Sequence, residues 1–399
     1  MFIVWLFSIR SHWRFIVKSL TPRLASAIAE VPYDVFSGEL NNVPTDVAKQ
    51  FEFDTKLKLF KATSKLIGLV KQTTKFAVIA EGRKGTLYAD SLVISFRGTE
   101  KIIGDIITDG HIGLTGTSSG HIVHAGFENC FNSIRPQISN YILSYKKTYG
   151  TMPKVIHCVG HSLGGAVASL AAEWLKCTYH ARVHLYTFGA PRVGFLPFAR
   201  GVGSEIEKTY RCTHGADPVP MVPLWPFVHG GSEYRLDGSS GIYACAHGLS
   251  LKATPGYMNT ANTQDWEGLE YSSDIYLRQR TTLSYFNRHN AHFNSSWIAK
   301  IGSAIMTLLK LSGQAHRAQA YMTAGMTCWD LLAKLLHSIS KIKVKYAEHL
   351  RGILGHMNVM SGNPALDVSN ITYSVIKNCF SRFIRKLKQF VGHAMNLAR

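Results

Sequence analysis

One stretch constrains the chain more than any other: Val155-Ile156-His157-Cys158-Val159-Gly160-His161-Ser162-Leu163-Gly164-Gly165-Ala166, followed by the Ala-rich run Val167 to Glu173. An apolar strand, a G-x-S-x-G turn and a helix-forming segment in that order are the context of a nucleophile elbow. So sharp a turn holds its serine at strained backbone angles and leaves no room for side chains two residues either side, which Gly160 and Gly164 satisfy. A hydroxyl at the start of a helix also lies beside unpaired N–H groups and the positive end of the dipole. Ser162 is therefore the candidate nucleophile, supported by Gly160 and Gly164.

From about residue 70 to 300, short apolar runs alternate with helix-like stretches, the pattern of βαβ units around a mostly parallel sheet. Strands are expected at 76–80, 92–96, 154–159, 183–188 and 209–212, each rich in Val, Ile, Phe or Tyr. The Gly/Ser/Thr-rich passage from Gly230 to about Thr263 reads as irregular. At the N-terminus, Phe2, Leu6, Ile9, Trp13, Ile16 and Leu20 fall on one helical face, with Arg10, Arg14 and Lys18 on another. Beyond about 300 the pattern is helical. There Ile376, Cys379, Phe383, Leu387, Phe390 and Ala394 form an apolar stripe, and most Lys and Arg lie elsewhere.

A serine at its free pKa needs a base, and the base an orienting acid. The acid candidate is Asp217, in His214-Gly215-Ala216-Asp217-Pro218-Val219-Pro220, on a Pro-stiffened loop after a strand. Histidines downstream are 229, 247, 289, 292, 316, 337, 349, 356 and 393. His292, directly before a helix-like stretch, is the preferred base and His289 the alternative. Their His-x-x-His spacing also suits a metal, but no acidic or Cys ligand stands beside it, so no metal and no cofactor are expected.

Taken together, these motifs resemble the class 3 lipase family of α/β hydrolases. Besides Gly160-His161-Ser162-Leu163-Gly164-Gly165, the chain carries Phe96-Arg97-Gly98-Thr99, His124-Ala125-Gly126-Phe127, Thr187-Phe188-Gly189-Ala190-Pro191-Arg192-Val193-Gly194 and Asp217-Pro218-Val219-Pro220 in the family's order. The resemblance covers roughly residues 70 to 300. It implies an α/β-hydrolase fold with a central, mostly parallel sheet, here with a helical C-terminal extension. It also implies an oxyanion hole made by Thr99 and the Leu163 N–H, and an Asp109 that steadies the Thr99 hydroxyl. The aliphatic stretch between Thr99 and Leu114 resembles the family's lid. The family's histidine is followed by a pattern like H-S-x-x-x-Y, which His292 to Trp297 approximates. One departure is His214, where the family has an Asn upstream of the acid. The domains expected are a basic amphipathic segment over 1–30, the hydrolase domain over 31–305 and a basic helical region over 306–399.

Charge then bears on partners. The 399 residues hold 44 Lys and Arg against 25 Asp and Glu, a net +19. The last 99 residues contribute 13 basic and three acidic groups. Such ends favour an anionic membrane surface, and with it phospholipid over neutral triacylglycerol. No zinc finger or RNP motif suggests a specific nucleic-acid partner. The seven scattered cysteines give no disulfide framework. Ala25-Ser26-Ala27 resembles a signal-peptidase site, but charges interrupt the apolar run before it. No clear secretory leader is therefore expected; the chain reads as cytoplasmic, or exported by a specialised route, and peripheral at membranes. The function expected is a serine hydrolase cutting carboxylic esters of lipids. The alternative is a membrane-binding or host-interacting protein on a hydrolase scaffold.

Overall fold

Strands apolar on both sides must be covered on both faces, and the elements of the chain supply that cover. This computed structural model describes residues 18–37, 43–53, 60–65, 71–98, 113–224, 227–239, 241–270, 281–314 and 328–397. The strands are β1 (Phe51–Phe53), β2 (Phe60–Lys65), β3 (Lys71–Gly82), β4 (Ser91–Phe96), β5 (Leu114–Gly116), β6 (Ile122–His124), β7 (Val155–His161), β8 (Val183–Phe188), β9 (Lys208–His214) and β10 (Glu233–Asp237). The described helices are α1 (Pro22–Ser37), α2 (Thr45–Gln50), α3 (Ala125–Tyr149), α4 (Leu163–Tyr179), α5 (Leu196–Ser204), α6 (Tyr257–Ala261), α7 (Ser295–Leu311), α8 (Cys328–Ser340), α9 (Val344–Met360) and α10 (Tyr373–Leu397).

The main sheet has the order β1-β3-β4-β7-β8-β9-β10, with β2 also paired to β3. From β4 to β10 every pairing is parallel, whereas β1, β2 and β4 all run antiparallel to β3. Alternate residues feed two cores. Leu92, Ile94, Ile156 and Cys158 pack with α3 and α4, and Val93, Val159, Tyr186 and Tyr210 pack with α1 and α6. α3 shows why its segment is helical: Phe127, Phe131, Ile134, Ile138, Ile142 and Tyr145 recur at steps of three and four and are all buried. Its first turn is capped by the His124 ring accepting from the Gly126 N–H, and Gly150 ends it at φ 74°.

Four of the five expected strands lie within β3, β4, β8 and β9, and the fifth, 154–159, starts one residue before β7. The passage expected to be irregular from Gly230 to Thr263 instead contains β10, a 3₁₀ turn over Ala244–His247 and α6. β10 alternates charged and apolar residues along Glu233-Tyr234-Arg235-Leu236-Asp237, so it lacks the continuous apolar run of the inner strands. Of the N-terminal segment, residues 1–17 lie outside the described residues. Those after it are built into the sheet's cover: Leu24, Ala25, Ile28, Val31 and Val35 are buried on the Val78, Val93 and Val159 side. Ser95 Oγ donates to the Ile28 carbonyl (2.8 Å) and the Leu20 N–H to Tyr186 Oη (2.8 Å). The stripe expected on α10 is real but faces inward, with Ile376, Cys379, Phe383, Leu387 and Ala394 buried. The helices of the C-terminal region share one continuous core with the sheet-covering helices.

Two stability measurements follow. Ile28→Ala is expected to lower the unfolding free energy by about 2–5 kcal/mol in denaturant titrations, which a loosely attached α1 would not do. Glu30, on α1, has its pKa raised to about 7 by burial and by the neighbouring Asp34. A raised carboxyl contributes stability at low pH that is lost as pH climbs through about 7. Glu30→Gln should therefore raise the melting temperature clearly at about pH 8 and little at about pH 5.

Candidate active site

β7 is buried along its whole length and delivers the chain straight into Ser162, whose backbone sits at φ 59° and ψ −129°. That region is unfavourable for a residue with a Cβ, and persists only where its surroundings enforce it. Here they do: the Ser162 N–H is tied to the Phe188 carbonyl (2.9 Å), and α4 starts at the next residue. A Cβ on Gly160 would come within 2.2 Å of the Gly164 carbonyl oxygen, and one on Gly164 within 2.0 Å of the Phe96 carbonyl oxygen. The two glycines are thus steric requirements of the turn, as its sequence implied.

Ser162 Oγ lies 2.9 Å from Nε2 of His247, and His247 Nδ1 lies 2.8 Å from Asp217 Oδ2. All three side chains are buried. The carboxylate accepts only, so Nδ1 carries its proton and Nε2 faces the serine as acceptor. Asp217 also accepts from the Tyr257 hydroxyl (2.7 Å, at Oδ2) and from the Val219 N–H (2.9 Å, at Oδ1). Burial alone would raise the Asp217 pKa; His247, Tyr257 and the Val219 N–H outweigh it and hold the carboxyl below its ordinary value. Asp217 is therefore kept ionised where it can orient an imidazole and stabilise its protonated form.

The base preferred from sequence is corrected by this geometry. His292 and His289 are both exposed, and neither bonds Ser162 or Asp217. Their neighbours explain it. Phe293 packs on Phe383 and Phe390 of α10, and Tyr285 is flanked by the Arg288 and Arg351 guanidiniums, so this loop is drawn to the C-terminal helices. His247 stands instead in the 3₁₀ turn over Ala244–His247, only 30 positions after Asp217. The tyrosine meeting the acid, Tyr257, follows His247 by ten positions, so a short histidine–tyrosine pattern passes over the pair. The usable signal was the shorter interval from the acid.

Two other histidines grip that turn by its carbonyls. His161 Nε2 donates to the His247 carbonyl (2.9 Å), which leaves Nδ1 to accept from the Tyr33 hydroxyl (2.9 Å). Tyr33 in turn accepts the Gly98 N–H (2.8 Å). Burial, then the charge of His247, lowers the His161 pKa to about 3, so it stays neutral. His214 Nδ1 donates to the Ala246 carbonyl (2.7 Å), and its ring stacks flat on Tyr257 at 3.8 Å. The departure noted at His214 thus has a structural use. Of the oxyanion and supporting positions, Leu163 is the first, fully buried residue of α4. Thr99 and Asp109 lie outside the described residues, as does 99–112 of the lid-like stretch. Gly98, directly before Thr99, passes against the serine: a Cβ there would lie 2.9 Å from Ser162 Cβ.

A parallel sheet with helices on both faces and a serine at the elbow after a central strand defines an α/β hydrolase. Within that class, residues 93–227 match the family Lipase (class 3). It is 40% identical over 118 residues to a secreted mono- and diacylglycerol lipase of Fusarium solani, covering 29% of this chain and 34% of that one. It is 32% identical over 149 residues to a chloroplastic phospholipase A(1) of Arabidopsis thaliana, covering 33% of each. The chain thus spans about a third of the length of these curated relatives. Among solved structures it resembles the triacylglyceride lipase of Rhizomucor miehei, at 26% identity over 54% of this chain and 78% of that one, with a TM-score of 0.42.

The two assignments of the base separate cleanly. His247→Ala should cut kcat on a soluble short-chain ester by about 10⁴-fold or more while His292→Ala leaves it within about twofold; the reverse would restore His292.

Proposed function

We propose that the protein hydrolyses carboxylic esters of lipids through an acyl-enzyme on Ser162. The observation that carries the reading is the unbroken hydrogen-bond chain from Ser162 Oγ through His247 to Asp217, buried at the elbow. In this mechanism Ser162 Oγ attacks the acyl carbonyl as His247 Nε2 takes its proton, and Asp217 stabilises the imidazolium. The Leu163 N–H, free of an intrahelical partner at the first turn of α4, and Thr99 receive the charge on the carbonyl oxygen. His247 then protonates the departing alkoxide. Water, deprotonated by the same imidazole, releases the acid and restores the serine.

Ser162 is 1% exposed and His247 fully buried, so a substrate reaches them only when a covering segment moves. The basic excess supports substrates at an anionic surface, phospholipid before neutral glyceride, because each Lys or Arg near such a surface adds about 1 kcal/mol of attraction. Since α10 spends its apolar stripe inside the core, its share of that attraction is charge rather than insertion. The reading as a binding protein on a hydrolase scaffold is disfavoured by a complete, oriented triad.

Product analysis on mixed liposomes of phosphatidylglycerol, phosphatidylcholine and triacylglycerol tests the proposal. Free fatty acid and lysophospholipid are expected from the native protein, and Ser162→Ala should reduce both by about 10³-fold or more. Unchanged release in that variant, or no release from any of the three lipids, contradicts it.

A further inference from the structure

The sheet carries a second polar site behind the catalytic acid, and it belongs to the edge pair β9–β10. The register sets Arg211 opposite Glu233 and Thr213 opposite Arg235. With a period of two, these four share one face, and Tyr210, Cys212, Tyr234 and Leu236 are buried on the other. The polar face does not meet a packed apolar partner. It opens on a cavity of about 550 Å³, closed on its far side by α7 through Ile298, Lys300 and Ser303. Residues 295–311 lie beyond the segment matched to the family, so this enclosure is built by the chain's own continuation.

The charges around the cavity do not balance. Arg192, Arg211, Arg235 and Lys300 line it, against the carboxylates of Glu233 and Asp217. Asp217 is committed to His247, Tyr257 and Val219. Glu233 is shared: it bonds Arg235 (3.0 Å) and accepts from the Thr213 hydroxyl (2.5 Å). The Arg192 guanidinium donates to the Pro223 carbonyl (3.0 Å). Arg211 Nε is buried with no hydrogen-bond partner. A buried guanidinium nitrogen without a bond is costly, and half-buried Arg211 stands beside half-buried Arg192, with Lys300 lining the same cavity.

We propose that this cavity binds a phosphate-bearing ligand, a phosphomonoester dianion or the phosphate of a lipid headgroup, held by Arg192, Arg211 and Lys300. The planar guanidinium fork matches phosphate oxygens in pairs, and an excess of two cationic groups matches a dianion better than a monocarboxylate. The cavity lies on one face of the edge pair and reaches the loops after β9 and β10 through Gly215, Asp217, Gly238 and Ser239. Burial, then the neighbouring Arg211, lowers the pKa of Arg192 to about 10, the direction expected where cations crowd without enough anions. His229 adds no charge, because burial and the two arginines push its pKa well down; it donates instead to the Pro220 carbonyl (2.7 Å). A phosphate here would brace the loop after Asp217 without touching Ser162, so this inference stands independently of the hydrolytic reading.

The test titrates the full chain with inorganic phosphate and with glycerol 3-phosphate, by calorimetry and thermal unfolding, against chloride at equal ionic strength. Saturable binding of at least one phosphate probe and a rise in melting temperature beyond that of chloride are expected. Tighter binding of glycerol 3-phosphate assigns the site to a headgroup, and equal or tighter binding of inorganic phosphate to the free ion. Arg211→Gln should weaken binding by about tenfold or more. Lys300→Gln, at an exposed position on α7 that folding does not require, should weaken it by about threefold or more. Affinity unchanged in Lys300→Gln and in any folded Arg211→Gln overturns the proposal, as does a response no greater than chloride's.

Discussion

A single backbone conformation organises this protein: the φ of 59° at Ser162. It turns the chain from β7 into α4 within one residue, and so aims the hydroxyl away from strand and helix while leaving it beside the first N–H groups of α4. Nothing in the serine favours that conformation; it is imposed from outside. The Phe188 carbonyl holds the N–H, and the Phe96 and Gly164 carbonyls fill the space where side chains would otherwise stand. A strained serine is tolerated because strands on both sides are already fixed by parallel pairing.

The base depends on the same turn less directly. His247 sits on a 3₁₀ turn, an element with little stability of its own, and two neutral histidines hold that turn by its carbonyls. His161 belongs to the elbow, and His214 to the strand that presents the acid. The parts that fix serine and aspartate therefore also fix the imidazole between them. Tyr33 extends the network to α1, so residues near the N-terminus support the site through Gly98 and His161.

Much of this was legible in the residues, and the failures share a cause. Ser162, Gly160, Gly164 and Asp217 declare themselves locally, because a turn geometry or a Pro-bounded loop limits which residue types can occupy it. The inner strands were legible for a similar reason, being apolar on both faces. The histidine was not, because what selects His247 over His292 is contact across the fold, with no helix after it to mark the position. β10 is not legible as a strand because its alternating charges follow from lining a polar cavity, the same property that makes Arg211 and Glu233 face one another. The stripe on α10 is legible as a stripe, but sequence periodicity does not say whether core or lipid covers it. Phe293, packed on Phe383 and Phe390, shows that core does.

The claim on which the account turns is that the proton on His247 Nδ1 is shared with Asp217. Proton NMR of protein labelled with ¹⁵N-histidine measures this directly, since an imidazole N–H bonded to a buried carboxylate resonates far downfield of other amides. The account predicts such a resonance, coupled to a histidine nitrogen, present in native protein and in His292→Gln and absent in His247→Gln. A downfield resonance that survives in His247→Gln and vanishes in His292→Gln would contradict it.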